Sequence, residues 1–168
     1  MIQVQVAGMM LDRQSRQPIL LLRVPPLDRF LPIWIGPNEA ESIAMALKKE
    51  RFERPLTHDL LVTIVDGLEG LVSRVVIHDL REGTFFAKIF LARQQQVIAV
   101  DARPSDSIAV ALRTGAPIFV ARSVLEREEN QLLALDPEVA QRLFDGMQEG
   151  TGPGSSEPNR DEDREEEP

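Results

Sequence analysis

Residues 41–48 and 106–113 of this chain are near copies of each other. Glu41-Ser42-Ile43-Ala44-Met45-Ala46-Leu47-Lys48 returns 65 positions later as Asp106-Ser107-Ile108-Ala109-Val110-Ala111-Leu112-Arg113, with five positions identical and three exchanged like for like. Each copy follows a short apolar run, Ile33-Trp34-Ile35 in one case and Val97-Ile98-Ala99-Val100 in the other. Self-similarity at half-domain spacing constrains the whole chain, because two like units must then pack on one another. An offset of 65 superposes the apolar stripe, whereas 67 pairs Pro37 with Pro104 and Glu39 with Asp106. The stripe favours 65. Convergence of two amphipathic helices rich in Ala and Leu is the alternative to duplication.

The pattern around the copies reads as strand–strand–strand–helix twice. Residues 2–11 alternate and then turn apolar, 12–18 are polar and turn-like, and 19–24 form a strong apolar run. A short third strand at 31–35 leads to Gly36-Pro37-Asn38-Glu39. Proline suits a first helical turn and Glu39 suits its positive end. Ile43, Ala44, Leu47 and Phe52 give that helix one apolar face, and Pro55 is expected to end it. Thr57 is expected to cap a linking helix that turns Leu60, Leu61, Ile64, Val65 and Leu68 inward and stops at Gly67 and Gly70. Strands at 71–80, 84–91 and 97–100 then precede the second copy, which Gly115 closes. A strand at 117–120 follows. Short helices are expected from Ser123 through Glu128 and after Asp136-Pro137-Glu138. The fold class expected is α+β: two β-β-β-α halves, from an internal duplication, forming a mixed, mainly antiparallel sheet packed with helices.

A single domain over residues 1–145 is expected, with an acidic tail over 146–168 that lacks the apolar residues for a core and should be disordered. The net charge is −8, of which −5 falls within residues 151–168, so the rest of the chain is near balance. No apolar run reaches the length of about 18 residues needed to span a bilayer, and the N-terminus does not read as a signal peptide, so a cytoplasmic protein without a membrane partner is expected. There is no cysteine, which excludes disulfides and thiolate metal sites. A metal would have to be held by carboxylates and His58 or His78, a donor set that suits Mg²⁺ or Mn²⁺.

The densest polar turn is Asp101, Arg103, Ser105 and Asp106 before the second copied helix. Helix-start amides and Arg103 suit a phosphate, and the aspartates suit a divalent cation. The same residues also suit plain helix capping, with Asp106 satisfying the free amides and Arg103 paired to Asp101. Thr57-His58-Asp59 opens the linking helix. His58 has the chemistry of a general base or metal ligand, and Asp59 could orient it, share a metal or cap the helix. Glu41 matches Asp106 in the repeat, so the two carboxylates are expected to face each other. The stretch 48–54 is basic enough to contact phosphates, or to be a solvated helix end. His78 reads as part of a solvated turn. There is no Walker loop, no Gly-x-Ser-x-Gly and no His-Glu-x-x-His.

Four motifs in order carry a family resemblance: Pro32-Ile33-Trp34-Ile35-Gly36 with Glu39, Arg54-Pro55-Leu56-Thr57-His58-Asp59-Leu60, Asp101-Ala102-Arg103-Pro104-Ser105-Asp106-Ser107-Ile108, and Thr114-Gly115-Ala116-Pro117-Ile118-Phe119-Val120. From about residue 2 to 125 the chain resembles the bifunctional nuclease domain family. The resemblance implies an α+β domain, activity on both DNA and RNA, and a homo-oligomer, a dimer being favoured. It raises the site reading of the polar motif positions. The expectation is therefore a nuclease with His58, Asp59 and Asp106 catalytic, Arg103 and Ser105 on the substrate, and Glu39, Asp101 and Asp106 on Mg²⁺ or Mn²⁺. The rival expectation is a non-catalytic oligomeric binding or assembly module whose polar turns are helix caps. A sensor that binds a small anion at the helix starts is a third.

Overall fold

In the computed structural model, residues 1–25, 29–50, 52–127 and 132–134 are described. Three antiparallel strands come first: β1 (Ile2–Leu11), β2 (Pro18–Val24) and β3 (Arg29–Trp34). Helices α1 (Pro37–Lys48) and α2 (Thr57–Gly67) follow. A second antiparallel meander contains β4 (Leu71–Arg81), β5 (Thr84–Arg93) and β6 (Gln96–Ala102), then α3 (Pro104–Thr114), β7 (Ile118–Val120) and the short α4 (Arg122–Arg127). One seven-stranded sheet results, in the order β3-β2-β1-β7-β4-β5-β6. Strand β7 joins the two meanders, antiparallel to β1 and parallel to β4. This is the α+β, mainly antiparallel architecture that the alternation of strands and helices predicts.

The two meander-and-helix units correspond element by element. α1 and α3 both begin on a proline, and β3 and β6 begin 67 positions apart. The helix starts are therefore in register at 67, with Glu39 and Asp106 each the third helical residue, rather than at the 65 that the apolar stripe favours. The stripe itself is used unequally. In α3 it is the centre of the core: Ile108, Ala109, Val110 and Ala111 are buried, and both α1 and α2 pack on this helix. In α1 only Ile43 is fully buried. Each large aliphatic side chain so buried contributes about 1.5–3 kcal/mol, so α3 anchors the helical layer.

The main core lies between that layer and the sheet, where Leu20, Leu22, Val24, Val75, Ile77 and Val120 meet Ile43 and Ile108. On the opposite face Ile19, Leu21 and Phe30 form a smaller cluster closed by Leu133. Covering on both faces explains why β2 is apolar throughout rather than alternating.

Several local expectations are corrected. α1 stops at Lys48, well before Pro55, because Lys49 adopts a left-handed conformation (φ 54°) and the amides of Lys49 and Glu50 return to the carbonyls of Ala46 and Met45. Phe52 therefore lies beyond the helix and is exposed. Leu56, not Thr57, precedes α2, and Glu69 rather than a glycine takes the left-handed turn after it. Leu60, Leu61, Ile64 and Leu68 do not turn inward: each is 45–59% exposed, and α2 has no buried residue. β6 runs through Ala102, so Asp101 sits on a strand rather than in a turn. Glu128, the helix expected after Asp136 and the acidic tail lie outside the described residues. Among the described residues no helix is long and apolar enough to cross a membrane.

Candidate active site

The polar turns of the sequence meet where the starts of α1, α2 and α3 approach one another. α2 begins after an extended Leu56, whose amide donates to Asp59 Oδ2 at 2.9 Å. The other oxygen of Asp59 accepts from Arg113 Nε at 2.5 Å. Arg113, near the end of α3, also donates through Nη1 to the carbonyls of Ser42 (3.2 Å) and Ala109 (3.0 Å). Asp59 and Arg113 thus bind all three helices together. Burial alone would raise the Asp59 carboxyl, but the Arg113 and Leu56 hydrogen bonds outweigh it and hold the group below the usual range.

One residue earlier on α2, His58 projects in a different direction and sits between the other two helices. Its Nδ1 lies 2.8 Å from Ser42 Oγ on α1, and its Nε2 lies 3.2 Å from Asp106 Oδ1 on α3. Arg103, the residue just before α3, donates through Nε to Asp106 Oδ2 (2.7 Å) and through Nη2 to Oδ1 (3.0 Å). Its Nη1 reaches Glu39 Oε1 at 2.8 Å. The result is one chain of contacts: Glu39, Arg103, Asp106, His58, Ser42. The Arg103 side chain is 65% exposed while that of His58 is only 12% exposed, so the guanidinium covers the carboxylates and faces solvent.

The protonation pattern follows from these partners. Burial raises the Asp106 carboxyl, and the hydrogen bonds from Arg103 and His58 more than reverse this, leaving it lowered and ionised. With Asp106 ionised, His58 Nε2–H donates to it, and in a neutral ring Nδ1 is then the atom that accepts from the Ser42 hydroxyl. Both ring nitrogens are then engaged by protein. Ser42 Oγ is the protein group in contact with Nδ1, and it borders the adjoining space together with His58.

That space is a cleft of about 790 Å³. Glu39, Ser42, His58, Asp101, Arg103 and Asp106 line its polar side, and Leu61, Ile89, Val100 and Val110 its apolar side. A second pocket of about 400 Å³ adjoins it and shares Glu39 and Arg103.

Five of the seven residues singled out from the sequence line one cleft, and a sixth, Ser105, lines the adjoining pocket. His58, Asp106, Arg103 and Glu39 are in direct contact. Asp101 lines the cleft from β6 and is exposed. Ser105 is buried and faces the smaller pocket. Asp59 is not among the cleft-lining residues and is committed to Arg113 and the α2 cap. The carboxylate paired with Asp106 across Arg103 is Glu39, not Glu41, as the register of 67 requires. Two residues of the network, Ser42 and Arg113, were not picked out by sequence reasoning. Their one signal was their position inside the copied segment, where each is a polar residue beside the apolar stripe.

The fit to Mg²⁺ or Mn²⁺ is poor as the side chains are arranged. Among the described residues no three of His, Asp and Glu are gathered as an ion requires. Glu39 and Asp106 are already neutralised by Arg103, and a cation would have to displace that guanidinium.

Comparison with known proteins adds to this geometry. Residues 20–132 match the family described as the bifunctional nuclease domain. An uncharacterised protein of Mycobacterium tuberculosis is 46% identical over 123 residues, covering 73% of this chain and 73% of its own. Bifunctional nuclease 1 of Oryza sativa subsp. japonica is 25% identical over 116 residues, covering 67% of this chain and 35% of the rice protein. Bifunctional nuclease 2 of the same plant is 26% identical over 121 residues, covering 70% and 37%.

Proposed function

The chain belongs to the bifunctional nuclease domain family, and on that premise we propose that it hydrolyses phosphodiester bonds of DNA and RNA at the cleft where α1, α2 and α3 meet. The observation that carries this reading is the junction of an exposed arginine with a shielded histidine–carboxylate pair through one shared residue, Asp106. Arg103 supplies the planar, two-pronged donor that a phosphate needs, and it is the exposed member of the network. On substrate binding its guanidinium exchanges carboxylate oxygens for phosphate oxygens and stabilises charge that builds up on phosphorus-bound oxygen.

His58 takes the proton of the attacking water. The path runs from water to Ser42 Oγ, and from Ser42 Oγ to His58 Nδ1. Asp106 holds the imidazolium that forms, in the manner of a carboxylate behind a catalytic histidine. The same proton returns to the leaving oxygen. No step here is routed through a metal. Mg²⁺ or Mn²⁺ dependence is a separate part of the proposal, tested by adding each ion and a chelator to the same assay.

Most of a nuclease's non-specific affinity comes from neutralised phosphates, and this chain has a net charge of −8. Binding is therefore concentrated at Arg103, and the affinity is weak and salt-sensitive. The assay is cleavage of end-labelled single-stranded DNA and RNA by wild type, Arg103→Ala and His58→Ala, purified in parallel. Equal residual activity in all three would mark a contaminant and end the proposal.

One observation favours the rival reading of a non-catalytic module. Every hydrogen-bonding atom of the His58 ring and of the Asp106 carboxylate has a partner within the protein, as a purely structural network would. In that case both variants lose thermal stability and no ligand shifts the melting of the wild type.

Self-association is proposed on the exposed apolar face of α2 and the edge strand β6, where Val97, Ile98 and Val100 are 41–61% exposed. Exposed apolar side chains on a helix face and on a strand at the sheet edge are ordinarily covered by a partner.

A further inference from the structure

Each nitrogen of the Arg103 guanidinium is already spoken for. Nε and Nη2 go to the two oxygens of Asp106, at 2.7 and 3.0 Å, and Nη1 goes to Glu39 Oε1 at 2.8 Å. The surrounding charge is negative. Glu39, Glu41, Asp101 and Asp106 line the cleft, and Arg103 is the one arginine or lysine among the described residues that does so. A phosphate arriving here has to replace a carboxylate, because a further anion would be repelled by those already present.

Asp106 is the poorer one to leave, since it accepts twice from Arg103 and also contacts His58. Glu39 is held by a single ion pair, to Arg103. Glu39 and Arg103 are also the two residues common to the cleft and the smaller pocket, so their pair stands between the two hollows. The smaller pocket, of about 400 Å³, leaves room for the Glu39 side chain to turn away.

Gly36, the residue before α1, provides the seat of this carboxylate. A Cβ at Gly36 would overlap Glu39 Oε2 and come within 3.2 Å of its Cδ. The backbone there (φ −74°, ψ 159°) is open to any residue, and the glycine leaves α1 without the side-chain cap that a serine or aspartate would supply. Its use at this position is therefore space: a bare backbone on which the Glu39 carboxylate rests.

We infer that Glu39 is the carboxylate that a phosphodiester displaces from Arg103, that Gly36 positions it, and that together they make the site selective for singly charged phosphates. This rests on the nucleic-acid reading above and adds a determinant of substrate class. An internal phosphodiester carries one negative charge, as a carboxylate does, so the exchange leaves the charge on Arg103 unchanged. A terminal phosphate monoester carries about −1.5 to −2 at pH 7, and its excess charge faces Asp106 and the displaced Glu39.

The test uses the full-length protein in the cold, with chelator, and reads the anisotropy of an end-labelled octamer of deoxythymidylate. Glu39→Gln should tighten binding by about twofold to fivefold, the scale of an ion pair that no longer competes. Gly36→Ala, which pushes the carboxylate off its seat, should shift affinity in the same direction, and should have no further effect in a Glu39→Ala background. Arg103→Ala should weaken binding. Competition supplies the charge test: a thymidine dinucleotide with one phosphodiester should displace the octamer from wild type at lower concentration than thymidine 5′-phosphate does, and Glu39→Gln should narrow that gap. Melting curves confirm that each variant is folded. If the octamer binds wild type and Glu39→Gln equally, or the variant more weakly, displacement is refuted while the nucleic-acid reading stands. A monoester that competes as well as the diester refutes the selectivity. If no form of the protein binds the octamer, both readings fall.

Discussion

His58 Nε2 lies 3.2 Å from Asp106 Oδ1, a contact across 48 positions of sequence that ties the start of α2 to the start of α3. Arg103 occupies the other side of the same carboxylate. A proton carrier and a phosphate-binding cation thus share one anchor, and the two are placed by helix starts rather than by flexible loops. The consequences for each member of the network differ, and so do the experiments that separate them.

Arg103 should matter far more for chemistry than for stability. Its side chain is 65% exposed, and exposed ion pairs stabilise by about 0–1 kcal/mol. Arg103→Ala is expected to leave the melting temperature within a few degrees of wild type while lowering kcat/KM by about 10²-fold or more, the cost of losing one charge-stabilising donor. Arg103→Lys should recover only part, because an ammonium lacks the fork. A melting loss as large as that of a core truncation would place Arg103 in the scaffold instead.

Asp59 and Arg113 should show the reverse pattern. The Arg113 side chain is 10% exposed and makes three hydrogen bonds that join α1, α2 and α3. Arg113→Ala should destabilise by about 2 kcal/mol, the scale of losing hydrogen bonds to a charged group. Asp59→Asn should lose less, since an amide oxygen still caps the Leu56 amide. Activity per folded molecule in Asp59→Asn should stay above that of His58→Ala, and chemical denaturation with parallel assays checks both. An Asp59→Asn protein as stable as wild type but inactive would return Asp59 to the chemistry.

Acid should weaken the fold through particular carboxylates. Arg81, the Leu80 amide and Arg127 hold Asp79 down to about 2, and Asp59 and Asp106 are also lowered. A carboxyl lowered in the folded state contributes stability that is fully present above its unfolded value of about 3.9 and is lost as pH falls through the folded value. The melting temperature should therefore drop between about pH 4 and about pH 2, and Asp79→Asn should flatten part of that drop. The measurement is calorimetry across this window. An unchanged midpoint from pH 4 to pH 2 would mean that these pairs do not contribute.

Much of this arrangement was legible in the sequence, and the gaps have physical causes. Alternation and turn residues located the strands, and prolines at 37 and 104 located the two helix starts. The turns carrying Glu39, His58, Arg103 and Asp106 stood out because polar residues cluster there. The apolar face of α2 was legible as a face, but periodicity does not say whether anything covers it, and none of the described residues buries Leu60, Ile64 or Leu68. Ser42 was hidden because the copied stripe reads as packing, although its hydroxyl is what contacts His58. Asp59 suits a cap as well as a catalytic pair in the sequence, and its partner Arg113, 54 residues away, could not be read there.

The exposed face of α2 leads to a further expectation. If that face and β6 are covered by a second copy, Ile64→Glu with Leu68→Glu should convert an oligomer to a monomer in sedimentation velocity, without loss of helical content. A wild-type chain that sediments as a monomer at high concentration would refute self-association.

Ser42 offers the closest test of the proton path, because it can be removed while His58 and Asp106 remain. In Ser42→Ala a water can take the place of the hydroxyl at Nδ1, so activity should fall by about tenfold or less. His58→Ala should lose about 10²–10⁴-fold, the usual contribution of a general acid–base group. The decisive measurement is single-turnover cleavage of end-labelled single-stranded DNA by wild type, Ser42→Ala and His58→Ala at matched folded concentration. Rates should fall in that order, with His58→Ala near background. Equal rates in all three, or full activity in His58→Ala, would contradict it.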